Sequence, residues 1–236
     1  MNQTIVVTGA GKGLGHCIVK KHLNAGDTVY ALDYSITPGL LDLSCQHPSL
    51  HIISCDISST PVVKESLTPL RKQKVAIHIL YNVAGIYNRE DRVPLEEADI
   101  DRYLSLYNVN ALGQLRVIQE LSPLLSEGSV VLNVTSEAGS TGACSRISEY
   151  GYCMSKAAAN MASKIFSNQA APRHIRVFCV HPGWLRTDMG GDDAMRSDSS
   201  ITPEESAAAL IDIAQHPESV PKDVLYIDYR RTPLCW

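Results

Sequence analysis

The chain has 236 residues, 44% of them hydrophobic, and a net charge of −4 at neutral pH. That length suits one large α/β domain with a sizeable core. Mild acidity, with no basic run longer than Arg71-Lys72-Gln73-Lys74, leaves no nucleic-acid footprint and no patch for an anionic membrane.

Residues 5–8 form a short β-branched run that reads as a buried strand. A glycine turn follows at once, with Gly9, Gly11, Gly13 and Gly15. Leu14, Ile18, Val19 and Leu23 then recur at helical spacing up to Asn24-Ala25-Gly26, the expected helix end. Strand, glycine turn and helix open a dinucleotide-binding unit, because glycine permits close approach to a phosphate and the helix N-terminus offers free N–H groups. Residues 28–33 are a second strand ending in Asp33, about twenty residues past the turn, where such a fold places the acid for the adenosine ribose hydroxyls. A carboxylate there repels a 2′-phosphate and favours NAD. Lys12, in the turn, argues more weakly for NADP, since a lysine can swing into solvent.

Residues 34–48 read as loop with at most a short helix, and 51–55 as a third strand closed by Asp56-Ile57. A helix over 60–73 has Pro61 in its first turn, and a fourth strand over 75–83 runs into Ala84-Gly85. A charged loop covers 86–94. Residues 99–126 read as one long helical region with Asn110 inside it, although a mid-helix asparagine competes with the backbone. A fifth strand, 129–135, ends at Ser136, and open parallel sheets bind ligands at that end of their strands. After a Gly/Ser-rich loop, 139–149, comes a helix over 151–170 whose small alanine face suits packing on another helix, within the fold or across a subunit boundary. A sixth strand, 176–180, closes in His181-Pro182-Gly183-Trp184. A polar stretch to Ser200, a helix over 203–215 and a last strand over 224–227 complete the chain. The alternation predicts a single-domain, Rossmann-type, doubly wound parallel sheet of about seven strands with helices on both faces.

The longest apolar runs fall short of a bilayer span, and the early strand leaves no room for a signal peptide. Cys17, Cys45, Cys55, Cys144, Cys153, Cys179 and Cys235 are odd in number and include no C-x-x-C pair. They are expected as free thiols in a reducing, cytoplasmic setting, without a metal site.

The turn does not fit G-x-G-x-x-G, because the sixth place is Leu14 counted from Gly9 and His16 counted from Gly11. It fits T-G-x-x-x-G-x-G through Thr8, Gly9, Gly13 and Gly15. Tyr152-Cys153-Met154-Ser155-Lys156 supplies Y-x-x-x-K on a helix, where residues four apart share a face. With these motifs the chain resembles the short-chain dehydrogenase/reductase family. The run Pro182–Gly191, P-G-W-x-x-T-D-M-G-G, points to its carbonyl-reductase-like members. Asn82-Val83-Ala84-Gly85 matches the family's N-N-A-G except at Val83. The spacing from Ser136 to Tyr152 is also longer than usual, as if a few residues of 144–150 were inserted.

The resemblance implies an NAD(H)-dependent oxidoreductase, with NADP(H) as the lesser option, that interconverts an alcohol and a carbonyl. It implies catalytic roles for Asn110, Ser136, Tyr152 and Lys156. Tyr152 exchanges the proton on the substrate oxygen and Ser136 hydrogen-bonds that oxygen. Lys156 lowers the tyrosine pKa, and Asn110 marks a kink whose carbonyl holds a water. Cofactor contacts are expected at Gly9, Lys12, Gly13, Leu14, Gly15, Asp33, Asp56, Ile57, Asn82, Ala84, Gly85, Tyr152, Lys156, Pro182, Gly183 and Thr187. Ser136, Glu137, Tyr152 and Trp184 are expected to face the substrate, with 184–203 as a mobile lid. Family members usually pair helices into homodimers or homotetramers. Bringing a tyrosine from a pKa of ~10 to ~7 needs about 4 kcal/mol. One cation about 4 Å away, at an effective dielectric near 20, supplies roughly that.

Ser140 is the rival for the serine role. Sugar-nucleotide epimerase or dehydratase chemistry shares Y-x-x-x-K, but those chains usually carry a longer C-terminal substrate domain. A dinucleotide-sensing protein without turnover is the third reading, and such proteins tend to lose the tyrosine or the serine.

Overall fold

Seven apolar runs, most of them buried on both faces, dictate the architecture. In the computed structural model, which describes residues 2–236, Ile5, Val6 and Val7 of β1 (Thr4–Thr8) have no solvent exposure. A strand buried on both sides requires helices on both sides. β1 is joined by β2 (Thr28–Asp33), β3 (Leu50–Ser54), β4 (Ile77–Asn82), β5 (Leu125–Val134), β6 (Arg176–His181) and β7 (Tyr226–Asp228). All pair in parallel, in the order β3-β2-β1-β4-β5-β6-β7. The expected doubly wound sheet is therefore the observed one. The chain winds outward from β1 to β3 and returns to place β4 beside β1. Ligands bind at such a switch point, outside the carboxyl ends of the strands.

Alternation along each strand divides the core in two. Ile5, Val7, Ile79, Tyr81 and Leu132 pack with Leu14, Ile18 and Leu23 of α1 (Gly13–Asn24), Leu40 of α2 (Pro38–Gln46) and Leu210 of α8 (Pro203–Gln215). Val6, Leu80, Val131 and Val177 face Val63 and Leu67 of α3 (Thr60–Lys72), Val117 of α5 (Gln114–Leu121) and Phe166 of α6 (Tyr150–Ala170).

Five stretches differ from the sequence reading. Residues 34–48 hold a nine-residue helix, α2, started by Thr37, whose hydroxyl accepts the Leu40 N–H at 3.3 Å with Pro38 next to it. Residues 99–126 are not one helix. They break into a 3₁₀ turn, α4 (Tyr103–Tyr107), a π-helical turn at Asn108–Gly113, α5 and a second 3₁₀ turn. The π turn falls where Asn110 binds the backbone of Ile86 and where Gly113 admits Ile57, whose Cδ1 would lie 2.7 Å from a Cβ there. β5 starts four residues early, at Leu125, because a register break opposite Ile77–Ile79 lets it bulge at Gly128, with φ +83°. The last strand is Tyr226–Asp228, later than the apolar run suggested. A short helix, α7 (Gly191–Arg196), lies in the polar stretch after Trp184.

His22 of α1 is buried between Asp27, with Nδ1 2.7 Å from Oδ2, and Tyr81, with Nε2 3.1 Å from the hydroxyl. Burial holds its pKa below the ordinary 6.5, and does the same to His16 and His181. As pH falls through 6.5 the unfolded chain takes up protons that the folded chain refuses, so stability must fall on acidification through that value. Melting temperatures in a buffer series from neutral to mildly acidic should decline steadily. A flat series would refute this sign.

Among the described residues, no helix is long and apolar enough to cross a membrane, and no cluster of His, Cys, Asp or Glu is placed to hold a metal ion. The seven cysteines are free thiols.

Candidate active site

The carboxyl edge of β1 and β4 is held by one side chain. Thr8 Oγ1 accepts the N–H groups of Val83, at 3.0 Å, and Ala84, at 3.1 Å. This draws Ala84-Gly85 under the glycine turn. Gly9 has φ +66°, and a Cβ there would fall 2.8 Å from Ala84 Cα, so only glycine passes. The N-terminus of α1 follows without a side-chain cap, leaving its amides available to an anion. The Gly11 N–H donates to Asp33 Oδ2 at 2.7 Å and the Ser35 N–H to Oδ1 at 3.2 Å. The Asp33 carboxylate is thereby aimed at the turn. Around Gly13, Thr187 Cγ2 is the nearest atom that a Cβ would meet, at 3.4 Å.

The other expected cofactor residues divide. Asp56 Oδ1 accepts the Ser58 N–H at 2.9 Å, half-buried at the end of β3. Ile57 and Leu14 are buried, and the Ile57 carbonyl accepts Arg116 Nη1 at 3.0 Å. Asn82 departs from expectation. Its amide is fully buried and donates to Asn133 Oδ1 at 2.8 Å, and Asn133 donates to Ser163 at 2.8 Å. The two asparagines are register partners on β4 and β5, so both side chains point into the α6 side of the sheet. Lys12 also departs. Its ammonium extends to Asp188 at 3.0 Å, with both side chains about four-fifths exposed.

Four chemically active side chains meet beyond the ends of β4 and β5. Lys156 and Tyr152 lie one turn apart on α6. The Lys156 ammonium donates to the Val134 carbonyl at 3.2 Å and stands 5.7 Å from the Tyr152 ring centroid. Burial pulls Lys156 down to about 8. Asn110, with no exposure, donates to the Ile86 carbonyl at 2.9 Å and to Ser155 at 3.0 Å, and accepts the Ile86 N–H at 2.8 Å. Its oxygen and the Lys156 ammonium both border Gly85. Ser136 directly follows β5, and its influence on the Tyr152 phenol favours the ionised form. Ser140, the rival, spends its hydroxyl on the Ala143 N–H at 3.0 Å, as a turn cap.

At the Tyr152 phenol burial opposes the lowering expected from Lys156: it pushes the phenol well up, and the Glu137 charge adds to the push. The ammonium lies 5.7 Å from the ring centroid and donates to the Val134 carbonyl.

A polar network centred on the buried Glu149 adjoins the Tyr152 ring. Tyr87 meets the Tyr152 ring edge-on at 5.0 Å and donates to the Glu149 carboxylate. Arg92 and Arg146 also bind Glu149, and Arg146 bridges to Glu137. Glu137 in turn accepts the Ser136 hydroxyl at 2.6 Å and lies 3.2 Å from His181 Nδ1. Sequence reasoning missed Tyr87, Arg146, Glu149 and His181 as site residues. The available signal was position, since His181 ends β6 on the same edge as Ser136. The others lie in loops without periodicity.

The model of the short chain dehydrogenase family matches residues 3–197. The chain belongs to the short-chain dehydrogenase family. It is 33% identical over 88% of both chains to a 1-hydroxy-2-glutathionyl-2-methyl-3-butene dehydrogenase of Rhodococcus sp.. Among solved structures it resembles a short-chain dehydrogenase/reductase from Burkholderia multivorans with bound NADP (25% identity, TM-score 0.86). It also resembles a carbonyl reductase of Pseudomonas aeruginosa in complex with NADP (28% identity, TM-score 0.81). Both structural likenesses extend over the full length of both chains.

This short-chain dehydrogenase carries a hydrogen-bonded segment after β6. The Pro182 carbonyl accepts the Ser206 hydroxyl at 2.7 Å. Gly183 has φ +89°, and a Cβ there would lie 2.8 Å from Ile201 Cδ1. Thr187 Oγ1 accepts the Gly190 N–H at 3.3 Å. Trp184 stands 40% exposed, while its carbonyl accepts the Ile201 N–H at 2.9 Å. Arg89 donates to the Asp188 carbonyl at 2.9 Å, tying loop 86–94 to this segment.

Proposed function

We propose that this short-chain dehydrogenase interconverts a secondary alcohol and a ketone or aldehyde by hydride transfer, with Tyr152 as the general acid/base. The observation that carries the reading is the buried Lys156 ammonium 5.7 Å from the Tyr152 ring centroid, one turn along α6, with Ser136 just past the carboxyl end of β5. A bound nicotinamide dinucleotide would supply the acceptor or donor of the hydride. The residues fit such a group, since the bare turn at Gly9, Gly13 and Gly15 and the uncapped α1 suit a pyrophosphate.

Asp33 would bind the adenosine ribose hydroxyls, and Asp56 with Ile57 would border the adenine. Ala84, Gly85 and Lys156 would border the nicotinamide ribose, with Pro182, Gly183 and Thr187 at the carboxamide. For Asn82 only the backbone is suitably placed. Tyr152 holds or gives up the proton on the substrate oxygen. Trp184 and Glu137 would face the substrate, and residues 184–203 would act as a lid that excludes water.

We assign NAD(H) as the cofactor on Asp33, whose carboxylate is fixed by two N–H groups where a 2′-phosphate would sit. The NADP of the solved neighbours argues the other way. Hydrogen bonds to a charged group are worth about 1.5–3 kcal/mol. Asp33→Ala should therefore raise the KM for NAD by roughly ten- to a hundredfold and improve use of NADP. Initial rates with both cofactors decide this, and a wild type that prefers NADP would overturn the assignment.

A homo-oligomer is proposed on the outer face of α6. Met154, Met161 and Ile165 stand 60%, 61% and 60% exposed there, beside the half-exposed Leu115 of α5. Sedimentation of the wild type against Met161→Glu should show dissociation. The proposed location is the cytoplasm.

A further inference from the structure

We propose that Tyr226 is a positioning residue for this reaction, holding Ser136 from two strands away so that the serine hydroxyl meets the substrate oxygen. This rests on the alcohol–carbonyl reading above. The sheet stops placing the chain just before Ser136. β5 ends at Val134, and the Thr135 N–H then donates to the Val180 carbonyl at 2.9 Å. Ser136 caps a 3₁₀ turn, Glu137–Gly139, and a connection without regular structure follows up to α6. Ser136 Oγ accepts the Ala138 N–H at 3.1 Å, which pins its rotamer. The hydroxyl proton, now directed at Glu137 Oε2, turns about the C–O bond without moving the oxygen. The place of Oγ therefore follows the peptide between residues 136 and 137. That carbonyl accepts two bonds, from the Gly139 N–H at 3.0 Å and from the Tyr226 hydroxyl at 2.6 Å. The first belongs to the turn itself. The second ties the turn to the sheet.

Tyr226 suits this task in reach and in rigidity. β7 stands two strands from β5, about 10 Å across the sheet, and no shorter hydroxyl side chain spans a gap of that order. The residue is buried, pairs with Cys179 in the ladder and accepts the Leu234 N–H at 2.9 Å. Burial pushes its phenol up to about 12, so it stays a donor across the working range. The Trp236 ring lies against it, 5.2 Å between centroids. A main-chain oxygen of Trp236 also accepts the Gly142 N–H at 2.6 Å, and Cys235 Sγ is the nearest atom that a Cβ at Gly142 would meet. Residues 226–236 thus grip the connection at Ser136 and again at Gly142.

A hydroxyl that donates to the substrate oxygen works best at the geometry the transition state needs, and a displacement well under the length of a bond lowers its effect. Tyr226 touches neither substrate nor cofactor in this arrangement. It acts through Ser136.

Tyr226→Phe keeps the ring and its packing and removes the one bond. Turnover should fall about tenfold, with NADH binding unchanged and melting lowered by no more than a few degrees. The deciding measurement repeats the substitution in Ser136→Ala enzyme, read in single turnovers at high enzyme concentration. There it should cost nothing further, because the hydroxyl it places is gone. Trp236→Ala, at a half-exposed position, should give a smaller loss that vanishes in the same background, and it carries the test should Tyr226→Phe fail to fold. Full turnover in these variants, or an equal loss with and without the Ser136 hydroxyl, overturns the positioning role and leaves Tyr152 as general acid/base. A wild type inactive on every alcohol and carbonyl tried overturns the oxidoreductase reading and the positioning role with it.

Discussion

Tyr152→Phe is expected to cut turnover by about 10²–10⁴-fold while leaving NADH binding and melting temperature unchanged. The substitution removes one oxygen. The ring keeps its edge-on contact with Tyr87, 5.0 Å between centroids, and its backbone stays in the third residue of α6. The bonds of Ser136, to Glu137 and from Ala138, remain in place. What disappears is the group that exchanges a proton with the substrate oxygen. Burial makes its loss hard to replace, because no other titratable hydroxyl stands in that position. The measurements are initial rates with an alcohol panel, NADH fluorescence titration and thermal melting. Retained turnover with intact binding would remove Tyr152 from the mechanism.

Gly15→Ala is expected to damage the fold and the dinucleotide site together. A Cβ at Gly15 would lie 2.0 Å from the Gly9 carbonyl oxygen and 2.7 Å from the Gly9 carbonyl carbon. Both obstacles are backbone, so no rotamer relieves the collision. Gly9 cannot retreat either, since it already rides against Ala84. α1 must therefore move away from the end of β1. Overpacking of this kind costs about 3 kcal/mol, roughly 6–12 °C in melting temperature for a chain of this size. The displaced α1 amides should weaken NADH binding as well. Gly13→Ala is the control, because only Thr187 Cγ2 lies near, at 3.4 Å, and its cost is the φ of +55°, about 1–2 kcal/mol. Equal melting and binding for the two variants would show that the Gly9–Gly15 approach is not what holds this turn.

Much of the fold was readable in the chain because burial is periodic. Ile5-Val6-Val7 and Val130-Val131-Leu132 announce strands covered on both sides, and the intervening helical stripes announce the covers. Helix α2 was read as at most a short helix although Thr37-Pro38 is a start signal, because its core contribution is only Leu40 and Leu43. The break at Asn110 was expected only through the family resemblance, which marks a kink there, while the residues themselves read as one long helical region. Its cause was not, since the Ile86 backbone that binds Asn110 is 24 residues away.

The site divides in the same way. Helical spacing places Tyr152 and Lys156 on one face of α6 and strand-end position places Ser136 beside them, and both relations are local. The chain by itself therefore determined the sheet, the glycine turn and the set of groups available for chemistry. Only the tertiary structure decided that burial opposes ionisation of the Tyr152 phenol, that Asn82 turns into the sheet, and that Ser136 points its proton at Glu137. Those outcomes depend on desolvation and on contacts between loops far apart in sequence. Neither leaves a periodic trace in the order of residues.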